Sequence, residues 1–421
     1  MKKKIVFSIM FLFLFSFGTL IWGQNVKFDG EIRSRIEYRD GFKNLVADTL
    51  TGATVGGLRS RINLDYADEK IKAKVTLQDF RVYGETGTNN TKSSLGIYEA
   101  WGTYLFSSQF SATLGRQALE YDDKRLLSAS NWSNTGNAHD LLLLKYELVD
   151  AFKLHFGTAW NNGADNDYEK IYNVTRSYKS LAFLWFSKPF GKLDFSAIWF
   201  NDTFHYGKTD TETDKKSFRN TIGGNLGLKK KEIPLSFYAT GYYQFGHDME
   251  NKSLNAYLLA LNAQYKFTDV WSIAVGADYY SGTSTKDSEN GKNRTFNKLY
   301  GTNHSFNGSI EYWTTLPTQG LRDLYGGITF KPNAKFNIDA TFHIFSVTKE
   351  LPSTDKKALG SEIDITANYI ISPQLSLQGG WSSYFKNEQT DILKKQTGID
   401  TRFPQWAYVM LSFKPKFLNS K

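Results

Sequence analysis

The segment SEIDITANY, from Ser361 to Tyr369, consists of two interleaved sets of residues. Its apolar set is Ile363, Ile365, Ala367 and Tyr369, and its polar set is Glu362, Asp364, Thr366 and Asn368. Successive side chains of a β-strand point to opposite faces of the sheet, so the segment predicts a strand with one apolar face and one wet face. The same alternation recurs at 61–66, 259–267 and 336–344 and continues to Phe413, which predicts an all-β chain with one domain.

Composition favours strands over helices. Aromatic residues make up 16% of the chain, and its 34 glycines far outnumber its 8 prolines. Many Tyr, Phe and Trp residues are typical of strands. After the N-terminal region no apolar stretch is long enough to cross a bilayer as a helix, but a membrane barrel needs only every second strand residue to face lipid.

The N-terminal region predicts a cleaved signal peptide. Lys2 to Lys4 form a basic head, Ile5 to Ile21 form an uncharged apolar run, and Gly23 is a small residue suited to cleavage. These features divide the chain into a signal peptide, residues 1–23, and a mature barrel domain, residues 24–421. A retained membrane helix is the alternative, but a run of about 17 residues is short for a bilayer span.

Charge and cysteine content exclude several classes of function. The chain has no cysteine, which excludes disulfides, a lipidated cysteine and thiolate-bound metals. The formal net charge is +9, and removing the three signal-peptide lysines lowers it to +6. This modest excess is spread along the chain and predicts no nucleic-acid partner. The 6 histidines are scattered without metal-ligand spacing, so neither a metal nor another cofactor is expected.

The order of long and short connections predicts the number of strands. Turn signals divide the chain into about nineteen candidate strands, whereas bacterial single-chain barrels have an even number. Short turns are predicted at 67–70, 107–109, 149–150, 188–191, 229–231, 268–269, 332–334 and 372–373. Long outer loops alternate with short periplasmic turns in such barrels, and this holds here if 304–315 belongs to one long loop, 281–320. The sequence therefore predicts a transmembrane antiparallel β-barrel of about eighteen strands.

A barrel of this size has room for an aqueous channel. A soluble β-sandwich or propeller is the alternative, but neither architecture predicts this alternation of connections. The chain is therefore expected in the outer membrane of a Gram-negative cell. Its expected partners are outer-membrane lipid, the barrel-assembly machinery and an anionic solute or oligosaccharide.

Residues on the polar face of each strand are expected to line the pore. In the first three predicted strands they include Arg33, Arg35, Arg59, Arg61, Lys72 and Lys74. Placing an Arg or Lys on the lipid face at the bilayer midplane would cost about 2–4 kcal/mol. A wet bore lined with guanidinium groups attracts anions, which predicts a passage for carboxylated or phosphorylated solutes. The alternative is that these residues form salt-bridged ladders that only stiffen the barrel.

One charged cluster, GRQALEYDDKR at Gly115 to Arg125, suits either a catalytic site or a pore lining. The candidate site residues here are Arg116, Asp122, Asp123, Arg125 and, further along the chain, Asp140. Catalysis needs a nucleophile or acid held against a base, and the nearest histidine, His139, is a single weak candidate. The sequence therefore predicts charge pairing at a pore mouth and no enzymatic activity.

The charged cluster and several other segments of the chain resemble the alginate export family of outer-membrane barrels. The matching segments are Gly115 to Arg125, Asn131 with Trp132, His139 with Asp140, Tyr300 to Gly308, Gly320 to Asn333, Leu359 to Tyr369 and Ala407 to Pro415. The resemblance implies a barrel of the same strand number, with an arginine-rich, anion-selective lumen that carries a polyuronate such as alginate. It also implies a constriction that contains Arg116 and Arg125, with Asp122, Asp123 and Asp140 as acidic companions.

Three functions compete at this stage. The leading one is a passive, porin-like outer-membrane channel for anionic solutes, including acidic oligosaccharides. The alternatives are an outer-membrane enzyme that uses the barrel as a scaffold, and a closed structural or adhesive barrel. Within the long loop 281–320, the segment Tyr300 to Thr315 is expected to fold toward the pore and gate it, the alternative being an ordered surface loop.

Overall fold

The structure of the chain is a computed structural model. It describes residues 25–88, 94–228, 232–302 and 304–420. The predicted signal peptide, residues 1–23, and the predicted turn at 229–231 lie outside the described residues. In the part of the chain that the structure describes, no helix is both long and apolar enough to cross a membrane.

Eighteen long strands form the wall of a closed antiparallel barrel, as the sequence predicts. The first nine are β1 (Asn25–Asp40), β2 (Ala53–Ala67), β3 (Ile71–Val82), β4 (Gly96–Leu105), β5 (Phe110–Gln117), β6 (His139–Leu148), β7 (Phe152–Trp160), β8 (Ser180–Phe190) and β9 (Leu193–His205). The others are β10 (Lys216–Leu228), β11 (Leu235–His247), β12 (Ser253–Lys266), β13 (Trp271–Tyr280), β15 (Leu321–Asn333), β16 (Phe336–Ser346), β17 (Ala358–Ser372), β18 (Leu375–Lys386) and β19 (Gln405–Phe413), with the short strands β14 (Lys292–Asn293) and β20 (Lys416–Asn419) beside them. A 3-10 turn at Asp210–Glu212 and short helices at Thr285–Glu289 and Glu388–Leu393 lie in the connections.

The barrel closes between its first and last long strands. β1 pairs with β2 along its length and with β19 on its other side, where Ile32 lies opposite Phe413. β20 continues this seam, with Phe28 opposite Leu418. The C-terminal tail therefore extends the closure of the wall.

The two faces of the wall follow the alternation in the sequence. On β1, Ile32 and Ile36 are 48% and 51% exposed, whereas Arg33 and Arg35 are 6% and 7% exposed. The apolar set faces outward, and the polar set faces the interior. Since an outward charge is costly in lipid, this division suits a barrel whose outer surface meets a membrane.

Long and short connections lie at opposite ends of the barrel, which are called here the long-loop end and the short-turn end. β13 ends at Tyr280 and β15 begins at Leu321, so 304–315 contributes no wall strand and the predicted parity is confirmed. One connection at the long-loop end, 248–252, is itself short.

The inner face of the barrel is not polar throughout. Leu141, Leu143, Phe183 and Phe200 lie on the inner face of β6 to β9 and are at most 4% exposed. These side chains belong to one apolar cluster with residues from two long connections, among them Leu127, Tyr300 and Ile310. Two connections therefore fold into the barrel and bury part of its inner face.

Candidate functional site

The candidate site is the interior of the barrel where two connections meet. We call residues 118–138, between β5 and β6, the first inward segment, and residues 294–320, which lead into β15, the second inward segment. The amide of Tyr300 donates to the carbonyl of Leu126 at 3.0 Å, and the amide of Ser128 donates to the carbonyl of Tyr300 at 3.2 Å. This pairing of the two segments, called the bridge below, obstructs the lumen.

Three of the predicted arginines hold the first inward segment to the wall. Arg33 donates to the carbonyl of Asn131 at 2.6 Å, Arg35 to that of Trp132 at 3.0 Å, and Arg59 to that of Ser133 at 3.0 Å. The guanidinium of Arg35 also lies 4.5 Å from the ring centroid of Trp132. Their donors are largely occupied, so these arginines position the segment.

Neighbouring carboxylates compensate part of this charge. Glu31 accepts from Arg59 at 2.8 Å, and Glu37 accepts from Arg35 at 2.8 Å and from Arg39 at 2.9 Å. The salt-bridged ladder considered above is therefore present in this part of the wall. Bonds to neutral carbonyls leave the charge of a guanidinium in place, however, so the wall stays cationic.

The other predicted wall residues differ in their pairing. Arg61 stacks on Tyr98 at 3.9 Å from the ring centroid, and it also contacts the first inward segment by donating to the side-chain oxygen of Asn131 at 2.8 Å. Lys74 pairs with Glu99 at 2.9 Å. Lys72 lines a cavity at the short-turn end and forms no ion pair with any described residue.

The adjacent aspartates of the charged cluster point to different parts of the lumen. Asp122 adopts a left-handed φ of 53° and accepts from the indole of Trp185 on β8 at 2.9 Å. Asp123 accepts from Thr240 on β11 at 2.7 Å. Burial raises the pKa of the Asp122 carboxyl. The cluster is therefore divided between two sides of the barrel.

Arg125 extends from the first inward segment to β13, on the far side of the lumen. It donates to Asp123 at 2.9 Å, to Asp278 at 2.8 Å and to the hydroxyl of Tyr280 at 2.6 Å, and its guanidinium lies 3.7 Å from the ring centroid of Phe306. Burial opposes its charge, but the Asp278, Tyr280 and Asp123 side chains raise the pKa of Arg125 above its usual range. Arg125 therefore anchors the first inward segment to β13.

The structure corrects the position predicted for Arg116 and Asp140. These residues pair at 2.8 Å and lie opposite each other on β5 and β6, on the same face as Leu114, which is 66% exposed. The period of two that sends Leu114 outward also sends Arg116 outward, whereas Thr113 and Gln117 face inward. The proposed lining therefore does not include this pair.

The catalytic alternative finds no support in the same strands. His139 and Asp140 are consecutive residues of β6, so their side chains point to opposite faces. His139 Nδ1 lies 3.0 Å from the hydroxyl of Tyr178 inside the barrel, while Asp140 is outside with Arg116. These two residues cannot act together on one substrate.

Sequence reasoning missed an acidic wall on β15 to β17, across the barrel seam from the arginines of β1 and β2. His343 Nδ1 on β16 lies 3.0 Å from both carboxylate oxygens of Asp323 on β15, and His343 Nε2 lies 3.5 Å from Asp364 on β17. The signal was available, because Glu362 and Asp364 belong to the polar set of SEIDITANY. The expected pore lining covers only the charges of the first three strands, the cluster at Gly115 to Arg125 and Asp140.

This acidic wall holds the second inward segment. The amide of Ile310 donates to Glu362 at 2.7 Å, and the amide of Ser309 donates to Asp364 at 3.1 Å. Gly308 precedes them with a φ of 83°, and a Cβ at this position would collide with the Glu362 carboxylate. The close approach therefore depends on glycine.

A cavity of 570 Å³, called here the lysine cavity, lies at the short-turn end between β3 to β8 and the start of the first inward segment. Lys72, Lys145 and Lys153 line it with Trp101 and Trp185, and none of the three lysines pairs with a described side chain. Its carboxylates already have partners, namely Glu99 with Lys74, Glu120 with Lys124, Glu147 with His155 and Asp122 with Trp185. Lys74 and Lys124 neutralise Glu99 and Glu120, whereas the bonds of Glu147 and Asp122 to neutral rings leave their charges in place. The three lysines outnumber these two carboxylates, so the cavity is cationic.

A cavity of 480 Å³, called here the acidic cavity, lies on the opposite side, against β11 to β17 and residues 304–309. Its charged lining consists of Asp123, Asp278, Asp323, Asp339, Asp364, Arg125, His304 and His343. Asp123 thus faces this cavity, whereas Asp122 faces the lysine cavity. The bridge lies between the two.

Comparison with known proteins identifies a family. The family model described as "Alginate export" matches residues 24–388. No curated protein matches the sequence.

Solved structures share the fold at low sequence identity. OccK11 (OpdR) of Pseudomonas aeruginosa has a TM-score of 0.63 and 7% identity, with 93% of this chain and 96% of that chain covered. OccAB1 of Acinetobacter baumannii has a TM-score of 0.64 and 12% identity, with 93% and 97% covered. OpdO of Pseudomonas aeruginosa has a TM-score of 0.64 and 10% identity, with 93% and 98% covered.

Proposed function

The chain belongs to the alginate export family and is an outer-membrane channel, and from this premise we propose that it passes anionic solutes such as acidic oligosaccharides, alginate among them. The supporting observation is the excess of positive charge along one inner wall. The cationic residues on the inner face of β1 to β3 are Lys27, Arg33, Arg35, Arg39, Arg59, Arg61, Lys72 and Lys74, against Asp29, Glu31, Glu37 and Asp65. Anions that follow the wall formed by β1 to β3 meet a favourable potential.

The lysine cavity is the proposed entrance of this path at the periplasmic, short-turn end. Its three unpaired lysines can each bind a carboxylate, and the indoles of Trp101 and Trp185 offer apolar faces for sugar rings. From there Arg61, which stacks on Tyr98 and is bonded to Asn131, is the next guanidinium toward the bridge. Arg61 and the other arginines bonded to the first inward segment contribute charge to the path without direct contact.

We include two further expectations in the proposal. Residues 1–23 are removed as a signal peptide, which sequencing the N-terminus of the mature protein tests. The bridge gates the channel, because the first inward segment is bonded to Arg33 on β1 and, through Arg125, to Asp278 on the far strand β13. Deleting residues 304–311 should raise the conductance, and an unchanged conductance would argue against gating.

The deciding experiment is single-channel recording of the refolded mature protein in a planar bilayer under a salt gradient. The variant Lys72→Gln/Lys145→Gln/Lys153→Gln should lower the permeability of anions relative to cations. Three nearby charges change the energy of a passing anion by about 1–2 kcal/mol in total, which is roughly tenfold in permeability. Added uronate oligomers should block the original channel and block the variant far less.

A matched control removes three exposed lysines from the same end of the barrel. The variant Lys331→Gln/Lys335→Gln/Lys414→Gln changes the net charge equally but leaves the cavity intact. It should keep the selectivity and the block by oligomers. Equal loss of selectivity in both variants, or cation preference in the original protein, would refute the proposed anion path.

A further inference from the structure

The acidic cavity contains more negative than positive charge. Asp123, Asp278, Asp323, Asp339 and Asp364 line it, against the single guanidinium of Arg125. Protonating both His304 and His343 would still leave a formal charge of −2. Asp278 and Asp323 are 1% and 0% exposed, so bulk water does not screen these carboxylates. A cation inside the cavity would therefore be strongly stabilised.

Residues of this lining contain buried polar atoms that lack a regular hydrogen bond. Asp278 Oδ1 accepts from Arg125, but Asp278 Oδ2 has no hydrogen-bond partner in the described part of the chain. The side-chain amide of Asn307, in the second inward segment, is 1% exposed, interacts with the Tyr280 side chain and forms no hydrogen bond of regular geometry with a described residue. Both residues line the cavity. A buried polar group without a partner is costly, so a ligand that bonds to these atoms is favoured.

We propose that the acidic cavity is a binding site for a small organic cation, an alkylammonium or guanidinium compound. Its nitrogen would donate to Asp278 Oδ2 and to Asn307 Oδ1. The described residues contain no group of three or more His, Asp or Glu arranged to hold a metal ion, which favours an organic ligand over a metal. The volume of 480 Å³ accommodates such a molecule. This site goes beyond the anion path and does not depend on it.

Calorimetric titration of the refolded mature protein with agmatine tests the site. Agmatine carries a guanidinium and an ammonium group, and glutarate, a dianion of similar length, is the opposite-charge probe. Agmatine should bind at a stoichiometry of one, and Asp278→Asn and Asp339→Asn should each weaken its binding about tenfold. Glutarate should not bind at the acidic cavity, so its binding should be unchanged in both variants.

Asp269→Asn is the matched control, because Asp269 lies in a short turn with a fully exposed side chain paired to Lys266. It removes the same charge outside the cavity and should leave agmatine binding unchanged. Asp278 also anchors Arg125, so if Asp278→Asn fails to fold, Asp339→Asn decides the outcome. No agmatine binding, or equal binding by all variants, overturns the site whatever the anion selectivity of the channel.

Discussion

The lysine cavity and the acidic cavity are similar in size, 570 and 480 Å³, and lie on opposite sides of one bridge, yet their free groups have opposite charge. The difference does not follow from counting charged residues. The lysine cavity contains four carboxylates and three lysines, but each carboxylate is already hydrogen-bonded and the lysines are not. In the acidic cavity the one arginine is shared by two aspartates, and Asp278 keeps a free oxygen.

The comparison shows that pairing decides which charge a lumen presents to a solute. Asp122 and Asp123 are adjacent in the chain but have different partners. Asp122 is bonded to Trp185 in the lysine cavity, and Asp123 is bonded to Thr240 and Arg125 in the acidic cavity. The bridge sets these partners because it contributes lining residues to both cavities. Changes in the bridge should therefore have larger effects than changes in the lining of either cavity.

The largest effect is expected from Arg59→Met. Arg59 is 2% exposed, and its loss leaves Glu31 without its guanidinium partner and leaves the carbonyls of Asn131 and Ser133 with Arg33 as their remaining arginine donor. Removing one partner of a buried ion pair costs about 3–5 kcal/mol. The unfolding midpoint of the refolded barrel in urea should fall, and conductance should rise as the bridge loosens and the cavities merge.

Arg81→Met is the control for this change. Arg81 is also a strand arginine, paired with Asp79 at 2.8 Å, but it is 35% exposed and does not contact the bridge. Its substitution should leave the midpoint and the conductance unchanged. If the two variants behave alike, the arginines do not hold the bridge.

The acidic side of the bridge should be loosened by Gly308→Ala. The new Cβ would collide with the Glu362 carboxylate. In addition, an alanine at a φ of 83° strains the backbone by about 1–3 kcal/mol. Hydrogen exchange of the amides of Ser309 and Ile310, which donate to Asp364 and Glu362, should accelerate. Gly291→Ala provides a matched control, with a φ of 65° and nothing within 4 Å of the new Cβ. Faster exchange at 309–310 in the control as well would mean that the collision is not responsible.

The sequence predicted the wall better than it predicted what fills the wall. Alternation and the order of connections correctly placed 304–315 outside the strands, because both are local properties of the chain. The same alternation, applied to Leu114, would have placed Arg116 outside. The run from Leu141 to Leu144 is apolar on both faces, and no local pattern says that its inner face packs against Leu127 and Tyr300. Those contacts depend on long connections, whose residues show no periodic alternation from which their course could be predicted.

A pH-dependent effect is expected from Lys298, a free lysine buried in the bridge. Its Nζ has no hydrogen-bond partner among the described residues, and burial, aided by repulsion from Arg125, lowers its pKa to about 7. Unfolding restores the usual value near 10.5, so between these values the unfolded chain binds the extra proton. Stability should therefore rise with pH from 7 upward, by at most about 1.4 kcal/mol per unit.

Lys298→Met should remove this part of the pH dependence. Urea midpoints of the two proteins, measured from pH 6.5 to 9, should differ most at the low end, where the original protein carries a buried charge without a partner. Lys292→Met, at an exposed lysine in the same connection, should keep the original slope. Parallel curves for Lys298→Met and the original protein would show that this amine is not desolvated.

The smallest effect is expected from Trp101→Leu, which separates stacking from charge in the lysine cavity. The indole of Trp101 donates to Glu99 at 3.2 Å, and Glu99 keeps its ion pair with Lys74 in the variant. The three free lysines are untouched, so the reversal potential under a salt gradient should not move. Loss of an aromatic contact is worth about 0.5–1.5 kcal/mol, so block by uronate oligomers should weaken only a few fold. If selectivity falls together with the block, the tryptophan shapes the cavity and the lysines alone do not account for its preference. If neither property changes, the solute does not stack there, and charge is the only feature that distinguishes the lysine cavity from the acidic one.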